Sequence, residues 1–158
     1  MIELLSPFTM VQRRSLAQGD DSLLTGRWAM QDNTGRAVVP GAAAKFGLYL
    51  ILEGELLHTG SNVEFGAGPT FLSTRFERHP TVGAVGECAL AYGIFRFRVG
   101  PEGFDPLDNY VVGNYVEVDD AGRLVPFAAG AAPRAARIEA VETNAAGFTQ
   151  LTCLALGA

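Results

Sequence analysis

The sequence predicts an all-β fold, a compact antiparallel β-barrel or sandwich of short strands with an extended N-terminal arm. The 158 residues include 19 glycines and 8 prolines, and this density of turn-forming residues disfavours long helices and favours short strands. No window has a convincing helical stripe of more than about ten residues. The third observation is a pattern that occurs twice, in residues 26–39 and 113–126, and that is typical of a β-hairpin.

The repeated pattern is Gly-x-aromatic-x-x-x-Asp-x-x-Gly-Arg-x-Val, and its two occurrences are 87 residues apart (113 − 26). Asp32 and Asp119 can each accept a hydrogen bond from the backbone two residues later, which starts a turn. Gly35 and Gly122 can take the positive φ that a short hairpin loop needs near its end. The pattern predicts two hairpins, which arise either from an internal duplication or from convergence on one turn type.

The possible repeat extends beyond the hairpins, over residues 26–53 and 113–142. Each hairpin leads into a loop of small residues, then a basic residue and an apolar run. The basic residues are Lys45 and Arg134, which are 89 residues apart (134 − 45). This difference indicates that the loop has drifted by two residues, which loops tolerate.

The remaining elements follow from alternation and turn residues. Residues 1–23 are expected to form the arm, with an edge strand as the alternative, and residues 24–158 a single β domain. Residues 90–99 give the clearest strand, with Phe95, Phe97 and Val99 on one face and arginines on the other. Other strands are expected near residues 27–31, 36–39, 46–53, 63–65, 71–76, 136–142 and 148–155.

Composition disfavours several classes of protein. The net charge is −5 and the chain has one lysine, so binding to nucleic acid through a basic surface is not expected. There is no run of 18 apolar residues and no signal-peptide pattern, which predicts a protein made in the cytoplasm with no membrane partner. Cys88 and Cys153 are expected to be buried thiols, with a disulfide between them as the alternative.

No residue pattern predicts a catalytic, cofactor or metal site. His58 and His79 are too few for a histidine-rich metal site. Cys88 enters an apolar strand, where cysteine behaves as a small hydrophobic residue. Asp119 and Asp120 lack the alternating oxygen ligands of a calcium loop and are expected to be solvated turn residues. The chain is therefore not expected to be an enzyme or to bind a cofactor.

Four arginines are the candidate partner-binding residues. Arg13 and Arg14 are adjacent in the expected arm, and Arg96 and Arg98 share one face of the strand predicted over residues 90–99. The simpler explanation is a solvent face whose arginines pair with acidic residues and add little stability. The alternative is a docking face for an acidic partner surface.

Two segments resemble small head proteins of tailed bacteriophages. The run from Val11-Gln12-Arg13-Arg14 to Gly35-Arg36-Ala37-Val38 is similar to their N-terminal region, and the run from Tyr110 to Leu124 is similar to a segment near their C-termini. These relatives are capsid decoration (cement) proteins, which bind the outside of the assembled shell. The resemblance implies a β-rich fold without catalysis, the major capsid protein as partner, and a place on the virion after synthesis in the host bacterium. A homo-oligomer, a trimer or dimer, is expected on the shell.

Two other functions remain open. One is a phage tail, baseplate or head–tail structural subunit. The other is a β-sandwich module that binds carbohydrate or another small ligand, which would need exposed aromatic rings. The candidates for such rings are Trp28, Tyr49, Tyr92, Tyr110 and Tyr115, although strand alternation predicts that most of them lie in the core.

Overall fold

The computed structural model describes residues 2–5, 11–17, 19, 23–42, 45–52, 87–130 and 132–158, and gives the backbone alone for residues 11–17 and 87–89. These residues form eleven strands, with one 3-10 turn at Pro101–Gly103 between β7 and β8. None of the residues described here forms a helix long and apolar enough to cross a membrane. The strands are β1 (Ile2–Leu5), β2 (Val11–Ala17), β3 (Trp28–Gln31), β4 (Ala37–Val38), β5 (Tyr49–Ile51), β6 (Glu87–Gly93), β7 (Arg96–Val99), β8 (Tyr115–Val118), β9 (Leu124–Pro126), β10 (Ala136–Thr143) and β11 (Thr149–Ala155).

The strands form two antiparallel sheets. The six-stranded sheet has the order β1-β7-β11-β10-β8-β9, and the five-stranded sheet has the order β2-β6-β5-β3-β4. Neither sheet closes on itself, because its first and last strands do not pair with each other. The prediction of an all-β protein is confirmed, and of its two forms the sandwich-like one is present rather than the barrel.

The two sheets contribute to one hydrophobic core. The Trp28 ring of the five-stranded sheet meets the Phe97 ring of the six-stranded sheet edge-on, with the ring centroids 5.8 Å apart. The ring centroids of Phe95 and Phe97 are also 5.8 Å apart. The aromatic side chains that the sequence places before and within β7 therefore join the two sheets.

The N-terminal residues differ from the arm expected over residues 1–23. The described part of this segment contains β1, which pairs with β7, and β2, which pairs with β6. Both strands lie at sheet edges, and Ile2 is buried in the core. The physical reason is that a sheet edge offers unpaired backbone N–H and C=O groups. A short segment can form hydrogen bonds with these groups and at the same time bury its apolar side chains.

The single strand predicted over residues 90–99 is wrong. It is divided between β6 and β7, which belong to different sheets. Gly93 takes a φ of +116°, a conformation that side-chain-bearing residues rarely adopt, and the chain turns there before Phe95. The alternation itself holds within β7, where Phe97 and Val99 are buried and Arg96 is exposed.

Both predicted hairpins are confirmed, and their hydrogen bonds match residue for residue. Asp32 N–H donates to the Arg36 carbonyl (2.9 Å), and Asp119 N–H donates to the Arg123 carbonyl (2.8 Å). Gly35 and Gly122 have φ values of +83° and +79°. Each pair of corresponding residues is 87 positions apart (119 − 32).

The correspondence continues into the strand after each hairpin. Trp28 pairs with Leu50 and Tyr115 pairs with Arg137, so both members of the second pair lie 87 positions later. The loops that follow the two hairpins differ in sequence, but the strands after those loops keep the 87-residue spacing. The shift to 89 residues, inferred from Lys45 and Arg134, is therefore wrong for these strands.

Each sheet contains five strands that follow one another among the described residues, and their spatial order is the same in both sheets. β2 to β6 form what we call the first module, and β7 to β11 form the second module. In both modules the order is first, fifth, fourth, second, third, and β1 adds a sixth strand beside β7. The shared order and register favour an internal duplication over convergence on one turn type.

Candidate functional site

The four arginines predicted to bind a partner lie in different sheets. Arg13 and Arg14 are in β2, and their side chains lie outside the described residues. Arg96 and Arg98 are in β7 and point to the outer face of the six-stranded sheet. The backbone therefore places the two pairs of arginines in different sheets.

Arg96 and Arg98 pair with carboxylates of neighbouring strands. Arg96 Nε lies 2.9 Å from Glu139 Oε2, and an Arg98 nitrogen lies 3.2 Å from Glu3 Oε2. A second Arg98 nitrogen is 3.6 Å from Glu142 Oε2. The face around β7 is consequently balanced in charge, which corresponds to the simpler of the two sequence-based explanations.

The carboxylates of the second hairpin support the backbone and neighbouring segments. Asp119 Oδ1 accepts hydrogen bonds from the N–H groups of Ala121 and Arg123 (2.9 and 2.8 Å). Asp120 forms an ion pair with Lys45, whose nitrogen lies 2.8 Å away. Within the described residues there is no group of three His, Cys, Asp or Glu that could hold a metal ion.

Of the other candidates for chemistry, only Cys153 has a side chain within the described residues. Cys153 is a free, buried cysteine, and burial, with a smaller effect of Glu139, raises the pKa of its thiol to about 12. A thiol with a raised pKa is a poor nucleophile at neutral pH. His58, His79 and the side chain of Cys88 lie outside the described residues.

One end of the second module exposes large apolar side chains. We call this group the apolar end; Leu107 is its most exposed member at 94 %, and Phe148 is 58 % exposed. A cleft of about 420 Å³ runs between the 106–110 segment and the turn between β10 and β11. The apolar end consists of Leu107, Val111, Val112, Val141 and Phe148.

The loop that carries Leu107, Val111 and Val112 of the apolar end is held at its base by Tyr110 and Arg123. The Tyr110 hydroxyl lies 3.0 Å from the Asp105 carbonyl oxygen and 2.9 Å from that of Leu124. Burial, followed by the nearby Asp108 carboxylate, raises the pKa of Tyr110, so the hydroxyl stays protonated and remains a donor. Arg123 adds a bridge, with one nitrogen 3.1 Å from Asp105 Oδ2 and 2.9 Å from Asp119 Oδ2.

Beside this loop, four residues form what we call the arginine–aromatic cluster: Tyr115, Phe127, Arg134 and Arg137. The Arg134 guanidinium carbon lies 4.5 Å from the centroid of the Tyr115 ring and 5.0 Å from that of Phe127. Arg137 is directly opposite Tyr115 in the β8–β10 pair, so the two side chains share one face of the sheet. Arg134 and Arg137 are both exposed.

A second cleft, of about 340 Å³, adjoins this cluster. Asn109 and Tyr110 line both clefts, and Val111 of the apolar end lines the second cleft together with Tyr115 and Phe127. Two members of the cluster, Tyr115 and Phe127, line the second cleft. Asn114, next to Tyr115 in sequence, lines it as well. The two surfaces are therefore neighbours on one end of the molecule.

The first module buries the surface that corresponds to the cluster. Trp28 and Leu50 are the counterparts of Tyr115 and Arg137, and they are only 3 % and 0 % exposed. The Trp28 ring packs edge-on against Phe97 of β7, so this face of the first module is buried against the second module. The Trp28 backbone N–H also donates to the Gly122 carbonyl (2.7 Å). The second module leaves the equivalent face open and places polar residues on it.

Sequence reasoning missed Arg134 and Arg137 as binding candidates. Arg134 lies in an alanine-rich stretch before the strand predicted near residues 136–142, and Arg137 lies within that strand; nothing local distinguishes them from other arginines. The cross-strand pairing of Arg137 with Tyr115 was the available signal, but it depends on a register that sequence alone did not supply.

Neither protein-family models, nor curated proteins, nor solved structures give a match to this chain.

Proposed function

We propose that this protein is a structural virion protein that binds the outer surface of a bacteriophage capsid and stabilises it. It acts without catalysis or cofactor, with the major capsid protein as its partner, and it assembles on the shell as a dimer or trimer after synthesis in the host bacterial cytoplasm. The support is of two kinds: the resemblance of residues 11–38 and 110–124 to capsid decoration proteins, and the surface chemistry of the second module.

The apolar end is the observation that carries the proposal. Soluble proteins rarely group large exposed apolar side chains, and such patches commonly mark contacts with other proteins. Leu107, almost fully exposed, lies between Pro106 and Asp108 in a loop whose base is fixed by Tyr110. A rigid loop that presents apolar side chains loses little conformational entropy on binding, which favours a stable contact.

Repetition of the contact strengthens attachment to a shell. A capsid offers many identical sites, and a decorating oligomer that spans several of them binds more tightly than one copy does. A modest apolar contact is therefore sufficient on an assembled shell, whereas a free capsid subunit would be bound weakly.

The test uses heads of the phage that encodes this chain, prepared without the protein. The purified protein should sediment with these heads and raise the temperature at which they release DNA. The Leu107→Ser/Phe148→Ser double variant should lose most of this binding, while Ile94→Ser, a change at another exposed apolar residue, should retain it. Heads that are equally stable with and without the protein, and that never retain it, would contradict the proposal.

A tail, baseplate or head–tail subunit is the closest alternative, because it would use the same kind of apolar contact. Formation of rings by the purified protein without heads would favour it. A carbohydrate- or ligand-binding module is the second alternative, and the cleft beside Tyr115 and Phe127 is the observation that favours it. Specific binding on a glycan array, without binding to heads, would favour this module.

A further inference from the structure

We propose that the arginine–aromatic cluster is a receptor for a carboxylate group of the protein partner, with Arg134 as its anchor. The inference rests on the proposed function for the identity of that partner, the capsid subunit. It goes further by naming the chemistry that the partner must present, an exposed Asp or Glu side chain.

The position of Arg134 suits it to this role. Its guanidinium lies against the rings of Tyr115 and Phe127, at 4.5 and 5.0 Å from their centroids. These cation–π contacts hold the planar group in place while its N–H donors remain at the exposed rim. Guanidinium groups bind carboxylates with two parallel hydrogen bonds, and a preorganised group loses less side-chain freedom on binding.

The charge around the cluster favours an acidic group. Arg134 and Arg137 form no ion pair within the part of the chain that the structure describes, whereas Arg96, Arg98 and Arg123 each have a carboxylate partner. The chain as a whole has a net charge of −5. The two exposed arginines attract a carboxylate locally, although the net charge of the whole chain is negative.

Comparison of the modules indicates that this face is suited to contact. The counterpart in the first module, around Trp28 and Leu50, is buried, with the Trp28 ring against Phe97 of the second module. The second module has the same backbone arrangement, but Tyr115 and Arg137 replace the apolar pair and remain accessible. The fold thus uses this face for an internal contact once and leaves it open, with charged donors, the second time.

A protein carboxylate is a better fit than an acidic sugar. Arg134 already occupies one face of each of the Tyr115 and Phe127 rings, which leaves less aromatic surface for a pyranose ring. The apolar end lies just across Asn109 and Tyr110. A protein partner can contact the apolar end and the cluster together, as interfaces with apolar centres and charged rims do.

The first experiment is an NMR titration of the whole protein with a blocked tetraglutamate peptide at pH 6. We expect saturable shifts of the Arg134 Nε–H signal and of the Tyr115 and Asn114 amides. Arg134→Gln should weaken the binding about tenfold, and Arg134→Lys should weaken it by about threefold because lysine lacks the planar fork. Arg36→Gln, which removes an exposed arginine from the other hairpin, is the matched control and should bind as the wild type does.

Several results would overturn this inference. They are the absence of saturable shifts, equal weakening by Arg36→Gln and Arg134→Gln, and a response of the same signals to trigalacturonate but not to tetraglutamate. The last result would assign the cluster to an acidic saccharide instead.

The second experiment measures sedimentation of Arg134→Gln with heads. We expect binding about tenfold weaker than that of the wild type, with a smaller loss at high salt. Equal binding of both proteins would overturn the role of Arg134 in capsid contact. If the wild type does not bind heads but still binds tetraglutamate through Arg134, the proposed function fails while the carboxylate receptor stands.

Discussion

Asp32 and Asp119 show how much a single side chain can specify. Each accepts backbone hydrogen bonds from the residues two and four positions later, and so closes its own turn. Hydrogen bonds to the Asp32 carboxylate lower its pKa; the bond from the Arg36 backbone N–H has the largest effect, followed by the bond from the Thr34 hydroxyl. The interactions involve neighbours in sequence, which is why these two roles could be predicted before any tertiary contact was known.

Cys153 is a residue whose behaviour depends on burial. At neutral pH its thiol should not react with a soluble disulfide reagent in the native protein, and it should react after denaturation. Peptide mapping by mass spectrometry separates its label from that on Cys88. Rapid labelling of Cys153 in the native protein at pH 8 would show that the thiol is accessible to the reagent, and would contradict its burial.

The same thiol gives a pH dependence of stability. Its pKa rises from 9.0 to about 12 in the folded protein, so the unfolded chain releases the proton first as the pH increases. Its contribution is complete below pH 9 and is lost as the pH rises towards 12. In urea unfolding, Cys153→Ala should therefore lose less stability than the wild type between pH 8 and pH 10.5.

The two hairpins are equivalent as elements but have different surroundings. Gly35 and Gly122 hold the same position and nearly the same φ. A Cβ atom at Gly122 would overlap the Trp28 carbonyl oxygen, whereas one at Gly35 would only reach Gln31 Nε2 at 3.4 Å. The first hairpin is open at its tip, and the second is packed against the other sheet.

This difference predicts unequal effects of one substitution. Gly35→Ala should destabilise by about 1–2 kcal/mol, because alanine is strained at positive φ. Gly122→Ala should cost about 3 kcal/mol or more, since overpacking against a fixed backbone adds about 1–3 kcal/mol. Urea unfolding of both variants checks the order. Equal losses would mean that the second hairpin tip is not tightly packed.

The six-stranded sheet includes one strand, β1, from outside the repeated unit. β1 pairs with β7 and buries Ile2, so it completes the six-stranded sheet. In the first module, β2 holds the position that corresponds to β7. The described N-terminal strands therefore belong to the two sheets: β1 lies beside the second module, and β2 is the first strand of the first module.

Removal of residues 2–5 should lower the free energy of unfolding by about 2–4 kcal/mol, from the burial of Ile2 and the lost strand hydrogen bonds. Glu3→Gln is the control: it breaks only the exposed pair with Arg98 and should cost less than about 1 kcal/mol. If the truncated protein unfolds at the wild-type urea concentration, β1 contributes no stability to the sheet.

Sequence by itself determined the all-β class, the two Asp-x-x-Gly turns and the positions of most described strands. These features follow from backbone conformation and from hydrogen bonds between near neighbours, which a short segment specifies by its own composition. The strand boundary at Gly93 was missed, because the alternation of residues 90–99 is the same whether or not the chain changes sheets.

Only the tertiary structure decided which distant segments meet. It assigned β6 and β7 to different sheets, paired Arg96 and Arg98 with Glu139 and Glu3, and left Arg134 exposed between two rings. Cross-strand partners are set by register and by the burial of whole sheets, which no local pattern contains. For that reason Arg96 and Arg98, chosen from sequence, are paired with carboxylates, and the arginines without an ion pair in the described part of the chain include those beside Tyr115.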